Sequence, residues 1–413
     1  MKNVSFPWVR SVLFCLILVT LSATAFANDY YVGPTGSDSN DGSQARPWKT
    51  IQHCVGGFSL GSNGAVCHVA AGSYGTGVDV NRGGSSQSVR FVLQCDPGAA
   101  SATAAVNQCK ITGTISFATI GIFVEANNVD IVGFDVGNNA NMGAGIIGAN
   151  ANSSVHLESN YVHDLGSNVS NTAGTVRGCP ENGAIGAGSV DIQITGNFIK
   201  SFGIVPASTD CRVAQGIYVL NGVVQNNIVI GVPVGAIQLA NGCNNIASNN
   251  TLINARHGII IESNNGCLGH NTIANNYMAE FTDAVFFLSN SAKCTGSATN
   301  LFSHNMTDGS GVDFSAGPFS CDTVSPSQMV HQDPSSFFVN YQLNGNGDYH
   351  LKSGSLGIGA GSTACVTGGA SPCTPNIDIA GVPRPNALSL GAFESGQSAS
   401  LPNPPTGLTA QVQ

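Results

Sequence analysis

Charge is scarce in this chain. Only 9% of its 413 residues are Asp, Glu, Lys or Arg, too few to coat the exposed faces of a helical globule. Aromatic residues are held to 7%, so a core must be built from small β-branched and aliphatic side chains. No Cys-x-x-Cys pair occurs, which speaks against a zinc site. No segment carries the 10–15-residue amphipathic helix that a βαβ unit requires. After the first residues, no stretch is apolar enough to span a bilayer.

That opening stretch has its own logic. Lys2 and Arg10 precede the apolar run SVLFCLILVTLSA, and Ala25-Phe26-Ala27 is a small-x-small cleavage site. Residues 1–27 are therefore expected to be a signal peptide, and the protein to be secreted, periplasmic or cell-surface. Without Lys2 and Arg10, 12 basic residues face 23 acidic ones, a net charge of −11. Such a surface disfavours nucleic acid and anionic lipid. Twelve cysteines remain beyond Cys15, in neighbouring pairs: 54/67, 95/109, 179/211, 243/267, 294/321 and 365/373. Sequential disulfides in an oxidising compartment are expected.

Glycine is abundant, at 52 residues, and the chain repeats itself. An Asn-centred phrase recurs as SNYV (Asn160), GNFI (Asn197), NNIV (Asn227), NNTL (Asn250), NNYM (Asn276) and HNMT (Asn305), at steps of 37, 30, 23, 26 and 29 residues. Between these lie GIIG (Gly145), GAIG (Gly183), GIYV (Gly216), GAIQ (Gly235), GIII (Gly258) and DAVFF (Asp283). Periods of this length mean stacked supersecondary units. Short strands, Asn at a fixed turn and a period near 23 predict an all-β fold: a single-stranded right-handed parallel β-helix over residues 28–395. Each Asn is expected to bond the backbone of the next coil in an internal ladder, since a buried amide must be satisfied. The alternative is that these are turn residues in the left-handed conformation.

The ends differ from the middle. A short helix from Thr50 should cap the first coil. Residues 340–395 read as an irregular segment closing the other end, and 396–413 as a Pro/Ser-rich flexible tail. The two longest steps place extra residues in 167–182 and 203–215, each with one cysteine, Cys179 and Cys211. Long loops at one turn of a solenoid are where function concentrates.

The segment YYVGPTGSDSNDGSQARPWKTIQ, the phrase AAGSYGTG and the closing segment DIAGVPRPNALSLGAFE resemble those of exported bacterial right-handed parallel β-helix proteins of the pectate-lyase-like superfamily. The resemblance spans nearly the whole mature chain and implies the architecture. It carries over no active-site residue: the GHG and RIK phrases of polygalacturonases are absent, and no Asp cluster matches the calcium pocket of β-helix pectate lyases.

Candidate residues come from the repeats. Three positions after the phrase Asn stand His163 and Lys200, in the two coils that carry the long loops. A secreted polysaccharide-active lyase cleaving a uronate polymer by β-elimination would need a base and a means of neutralising the carboxylate. Lys200 is the expected base, His163 a base or proton donor, and Arg212 or Arg177 the carboxylate clamp. Arg256 and His257 are further substrate-binding candidates. Asp164, Glu181 and Asp210 offer oxygen ligands for Ca²⁺. Two other readings stand beside this one. A glycoside hydrolase would use a carboxylate pair such as Asp164 and Glu181. A non-catalytic carbohydrate-binding solenoid would show an exposed aromatic row. The bland alternative makes Lys200 and His163 solvated surface residues and Asp164 a turn former. The expected partner is a polysaccharide, and the protein a monomer.

Overall fold

The computed structural model describes residues 27–61, 63–96, 108–149, 152–166, 183–202, 215–240, 243–262, 269–287, 300–315, 317–318, 320–326, 329–366 and 372–395. The chain winds as a right-handed parallel β-helix, with three ladders of short parallel strands running its length.

The first sheet stacks Asn28–Val32, Gly64–Val69, Arg90–Cys95, Val129–Val132, Asn152–Glu158, the later halves of Gly183–Thr195 and Gln215–Gln225, then Ile246–Ser248, Thr272–Ala274, Leu301–Ser303 and Thr323–Ser325. The second stacks Val78–Val80, Ile120–Val124, Ala144–Gly148, the earlier halves of Gly183–Thr195 and Gln215–Gln225, then Gly235–Leu239, His257–Ile261, Asp283–Phe287 and Val312–Phe314. The third runs from Gly72–Tyr74 through Asp135–Asn139, Tyr161–Leu165, Phe198–Phe202, Ile228–Ile230, Thr251–Ile253 and Tyr277–Ala279 to Val330–His331. Each coil passes from the first sheet to the third, then to the second.

The interior is a set of stacked aliphatic columns. Ile122, Ile146, Ile185, Ile217, Ile237, Ile259 and Val285 lie in register on the second sheet and are fully buried. Such residues are the scarce-aromatic core that the composition required.

The asparagine ladder is present. The backbone N–H of Asn160 donates to Asn197 Oδ1 at 2.9 Å, and the Asn160 amide donates to the same oxygen at 3.1 Å and to Ile131 O at 3.0 Å. The pattern repeats from Asn197 to Asn227, Asn227 to Asn250, Asn250 to Asn276 and Asn276 to Asn305. The left-handed turn residue is the one before each ladder Asn: Ser159, Gly196, Asn226, Asn249, Asn275 and His304 all have positive φ. The doubled Asn thus divides its work. The second amide points into the coil, and the first docks the C-terminal segment: Asn226, Asn249 and Asn275 donate to Ile377 O, Ser389 O and Ser362 O. A second, shorter ladder of Asn245, Asn271, Asn300 and Asp322 stands at another turn.

The ends follow. Helix Ile51–Gly57 is capped by the Thr50 hydroxyl, which accepts from the His53 N–H, and buries Ile51, Cys54 and Val55. Phe58 stacks on Phe91 at 4.2 Å below it. The described residues of 340–395, expected to close the far end, pack instead along the flank, together with helix Pro334–Phe337. Phe337, Phe338, Tyr349, Leu351 and Leu390 cover the outer side of the third sheet at Ile228, Ile230, Ile253 and Tyr277. Arg384, buried against Glu394 at 3.2 Å, donates to Asn226 Oδ1 at 2.8 Å and fixes this segment to the coil. Disulfides join Cys54–Cys67, Cys95–Cys109 and Cys365–Cys373, as sequential pairing predicts. Cys243 and Cys321 are also disulfide-bonded. Their expected partners Cys267 and Cys294, and both members of the pair 179/211, lie outside the described residues, as do the expected signal peptide apart from Ala27 and the tail. No helix among the described residues is long and apolar enough to cross a membrane.

Candidate functional site

Each sheet turns a line of polar side chains outward, and the three lines differ in kind.

On the third sheet the register places His163 beside Lys200, as the repeated phrases predicted. Both are already engaged. His163 is buried and stacked on Tyr161, with ring centroids 4.1 Å apart. Its Nδ1 lies 2.7 Å from Asp164 Oδ2 and its Nε2 2.9 Å from Asp135 Oδ1. Burial alone would lower its pKa. The two carboxylates outweigh burial and hold it above the ordinary histidine value. Each ring nitrogen of His163 faces a carboxylate, so neither is free to accept a proton. Lys200 Nζ donates to Asn346 Oδ1 at 2.9 Å and lies 5.6 Å from the Tyr161 ring centroid. Its aliphatic stem runs under Gly345, where a Cβ would come within 2.8 Å of Lys200 Cδ. Asp164 has φ 50° and is both a turn former and the partner of His163.

Arg177, Glu181, Asp210 and Arg212 lie outside the described residues. The carboxylate of Asp164, the one proposed Ca²⁺ ligand that is described, already serves His163. Among the described residues no group of three or more His, Cys, Asp or Glu is arranged to hold a metal ion.

The first sheet carries a closed ion network. Arg90 Nε donates to both oxygens of Asp130, at 2.8 and 2.9 Å. His156 Nδ1 lies 3.1 Å from Asp130 Oδ1, and its Nε2 faces Asp191 Oδ2 at 3.6 Å, an ion-pair distance too long for a hydrogen bond. Burial opposes the charge on His156, but these two carboxylates raise its pKa to about 9. Asp130 and His156 are register neighbours, so this network links consecutive coils.

The second sheet is different. Gln215, Gly235, His257 and Asp283 form one outward column. His257 is buried and stacked on Phe286 at 4.2 Å, and its Nδ1 lies 3.0 Å from Asp283 Oδ2. Burial lowers its pKa; Arg256 adds to this, and Asp283 opposes it without prevailing. His257 is thus neutral near pH 7. With Nδ1 carrying the proton toward the carboxylate, Nε2 is the basic atom. Gly235 has no side chain between Gln215 and His257, and the Gln215 stem leans over it, its Cγ 3.7 Å from where a Cβ would sit. The next outward column reads Asp79, Phe123, Ile147, Gly186, Tyr218, Gln238, Ile260 and Phe286. Burial and nearby Glu262 raise the Tyr218 pKa, so its phenol stays protonated. Gln238 donates to Glu262.

Sequence reasoning named Arg256 and His257 as candidates but did not bring Asp283, Gln215 or Tyr218 to the same face. The signal was there and slipped by one residue. Matching phrases on their first residue put Gly235 and Asp283 in line with Gly258, whereas the register sets both in line with His257.

No family model matches the chain, and no curated protein matches it. Solved structures do. A pectate lyase, Pel9A, is 17% identical, with 89% of this chain and 96% of that one covered and a TM-score of 0.43. A rhamnogalacturonan lyase is 11% identical over 80% of this chain and 96% of that one, with a TM-score of 0.42. An alginate lyase from Paenibacillus sp. str. FPU-7 is 13% identical over 65% and 95%, with a TM-score of 0.40.

Proposed function

We propose that this protein is a polysaccharide lyase that cleaves a uronate polymer by β-elimination on the outer face of its second sheet. The observation that carries the reading is His257: a neutral imidazole, oriented by Asp283, on a face that also presents amides and a protonated phenol. His257 Nε2 takes the proton α to the substrate carbonyl, and amide donors at Gln215 and Gln238 stabilise the oxygen on which negative charge develops. The C–H electron pair becomes the new double bond, the glycosidic C–O bond breaks, and the leaving oxygen takes a proton from the Tyr218 hydroxyl.

Lys200 and His163 remain the other candidates for this chemistry, with Arg177 or Arg212 as clamp. Their nitrogens would first have to leave Asn346, Asp135 and Asp164. The calcium reading rests on Asp164, Glu181 and Asp210; a rate restored to chelated protein by Ca²⁺ alone would support it. The test of function is a screen of purified protein on polyuronates and their esters, following the ultraviolet absorbance of unsaturated products. Absorbance that appears with wild type and not with His257→Gln supports the reading. Reducing ends formed without absorbance would make the protein a hydrolase.

A second reading rests on the partly exposed column of Phe123, Ile147, Tyr218 and Phe286. This is the aromatic row that a carbohydrate-binding solenoid would show. Binding without any new product would favour it.

A further inference from the structure

The outer face of the second sheet carries few charges among its described residues. Its described charged groups are Asp79, Glu125, Glu262 and Asp283 against the single cation Arg256. The floor between these groups is apolar: Phe123, Ile147, Ile260 and Phe286. Phe117, 63% exposed, stands edge-on to Phe123 at 6.1 Å. Along the column, Phe123 to Tyr218 and Tyr218 to Phe286 are three strand steps each, about 14 Å at the usual strand spacing. Rings so spaced offer flat apolar platforms to an extended chain lying along the helix axis.

A free polyuronate would bring one carboxylate per sugar onto this surface, where Arg256 is the one cation among the described residues to pair with it. The face already resists negative charge. Asp79, in line with Phe123, has one carboxyl oxygen buried without a hydrogen-bond partner, and burial together with Glu125 raises its pKa. An ester removes the charge and adds an apolar group to meet the rings. It also eases the chemistry: the carbonyl beside the reacting C–H is then neutral, and amide donors suffice where a carboxylate would need a cation.

We propose that the polymer bound along the second sheet is an esterified uronan, its ester groups lying against the row from Phe117 to Phe286. This rests on the lyase reading for its cleavage step but not for its binding step. In that step His257 Nε2 removes the proton α to the ester carbonyl, the C4–O bond of the glycosidic link breaks as the C4–C5 double bond forms, and the Tyr218 hydroxyl protonates the departing oxygen. The ester is retained on the unsaturated product.

The test uses the full mature chain on methyl-esterified polygalacturonate, the propylene glycol ester of alginate, and each polymer after saponification. Affinity electrophoresis reads binding, and ultraviolet absorbance reads cleavage. Binding to at least one ester at least tenfold tighter than to its saponified form is expected. Phe117→Ala and Phe123→Ala should each weaken it about fivefold, and His257→Gln should leave it intact while removing product. Ester binding without product in wild type overturns the lyase reading and keeps this one. Preference for a saponified polymer, with product formed, overturns this one and keeps the lyase. Binding to none of the four overturns this proposal, as does ester binding that both Phe variants leave unchanged.

Discussion

Two buried histidines on different faces of one solenoid show how neighbours decide a residue's work. His163 and His257 each stack on an aromatic ring, at 4.1 and 4.2 Å, and each pairs with a carboxylate from the next or previous coil. His163 has a second carboxylate, on its other nitrogen, and is held charged. His257 has one carboxylate and a neighbouring arginine, and is held neutral. The first arrangement consumes both nitrogens and staples coils. The second leaves a base. Residue type and burial are the same in both; the count of anions within reach separates a fastener from a reagent.

The sharpest way to break this comparison is to exchange the losses. His257→Gln should lower the rate on the accepted polymer by about 10²–10⁴-fold, the range for removing a positioned base, and leave the thermal midpoint nearly unchanged. His163→Gln should do the reverse: most of the rate remains, and stability falls by about 3 kcal/mol, because Asp135 is left buried beside a neutral amide. Initial rates and denaturant unfolding of both variants measure this. Loss of rate in His163→Gln with an unaltered His257→Gln would invert the assignment.

The next largest effect separates the inner ladder from the outer fasteners. Asn227 accepts from the Asn197 N–H and donates to Ile194 O, Gln225 O and Asn250 Oδ1. Asn227→Ala leaves several buried partners unsatisfied at about 1–3 kcal/mol each, so a loss of 3 kcal/mol or more is expected by denaturant titration. A smaller loss than that of His163→Gln would mean the outer ion pairs, not the ladder, hold the coils.

The ladder was legible because Asn160 through Asn305 repeat a phrase whose spacing only a coil explains. The column of His163 and Lys200 was legible for the same reason. What was not legible is what lies against them. Nothing in the phrase around Asn160 shows that Asp135, 28 residues earlier, comes to rest on His163. Nothing near Lys200 predicts Asn346, which returns from 146 residues away. The second-sheet column failed through register. The phrases at Gly145, Gly216 and Gly258 begin one register position later than those at Gly183, Gly235 and Asp283. Matching the two sets on their first residue therefore pairs Gly258, not His257, with Gly235 and Asp283, and one slipped position moves a side chain to the other face.

The pH dependence of stability gives an intermediate effect. His156 and His163 have folded pKa values raised above the unfolded value of about 6.5. Their contribution is fully present below that value and is lost as pH rises through the folded pKa, about 9 for His156. For His156 the loss is about 3 kcal/mol, and it is shared with Asp191, whose pKa the same contact depresses. Unfolding free energy should therefore fall between about pH 6.5 and 9, and His156→Gln should flatten the fall. His257 contributes the opposite signature to rate. Its lowered pKa keeps the base available below the ordinary value of about 6.5, so activity should persist into mildly acidic solution and fail only as the imidazole protonates.

The smallest expected effect falls on the residue that the sequence alone marked most strongly. Lys200 is partly exposed, its Nζ is spent on Asn346, and its stem fills the space beneath Gly345. Lys200→Ala removes one exposed hydrogen bond and some stem packing, so a stability cost below about 1 kcal/mol is expected. The rate should change less than twofold if His257 is the base. Lys200→Met separates the two losses, since it keeps much of the stem and removes the charge. Full stability in Lys200→Met with a partial loss in Lys200→Ala would show that the stem serves to seat the 341–347 segment. If instead both variants abolish product while unfolding as wild type does, the chemistry lies on the third sheet. His257 would then be the fastener.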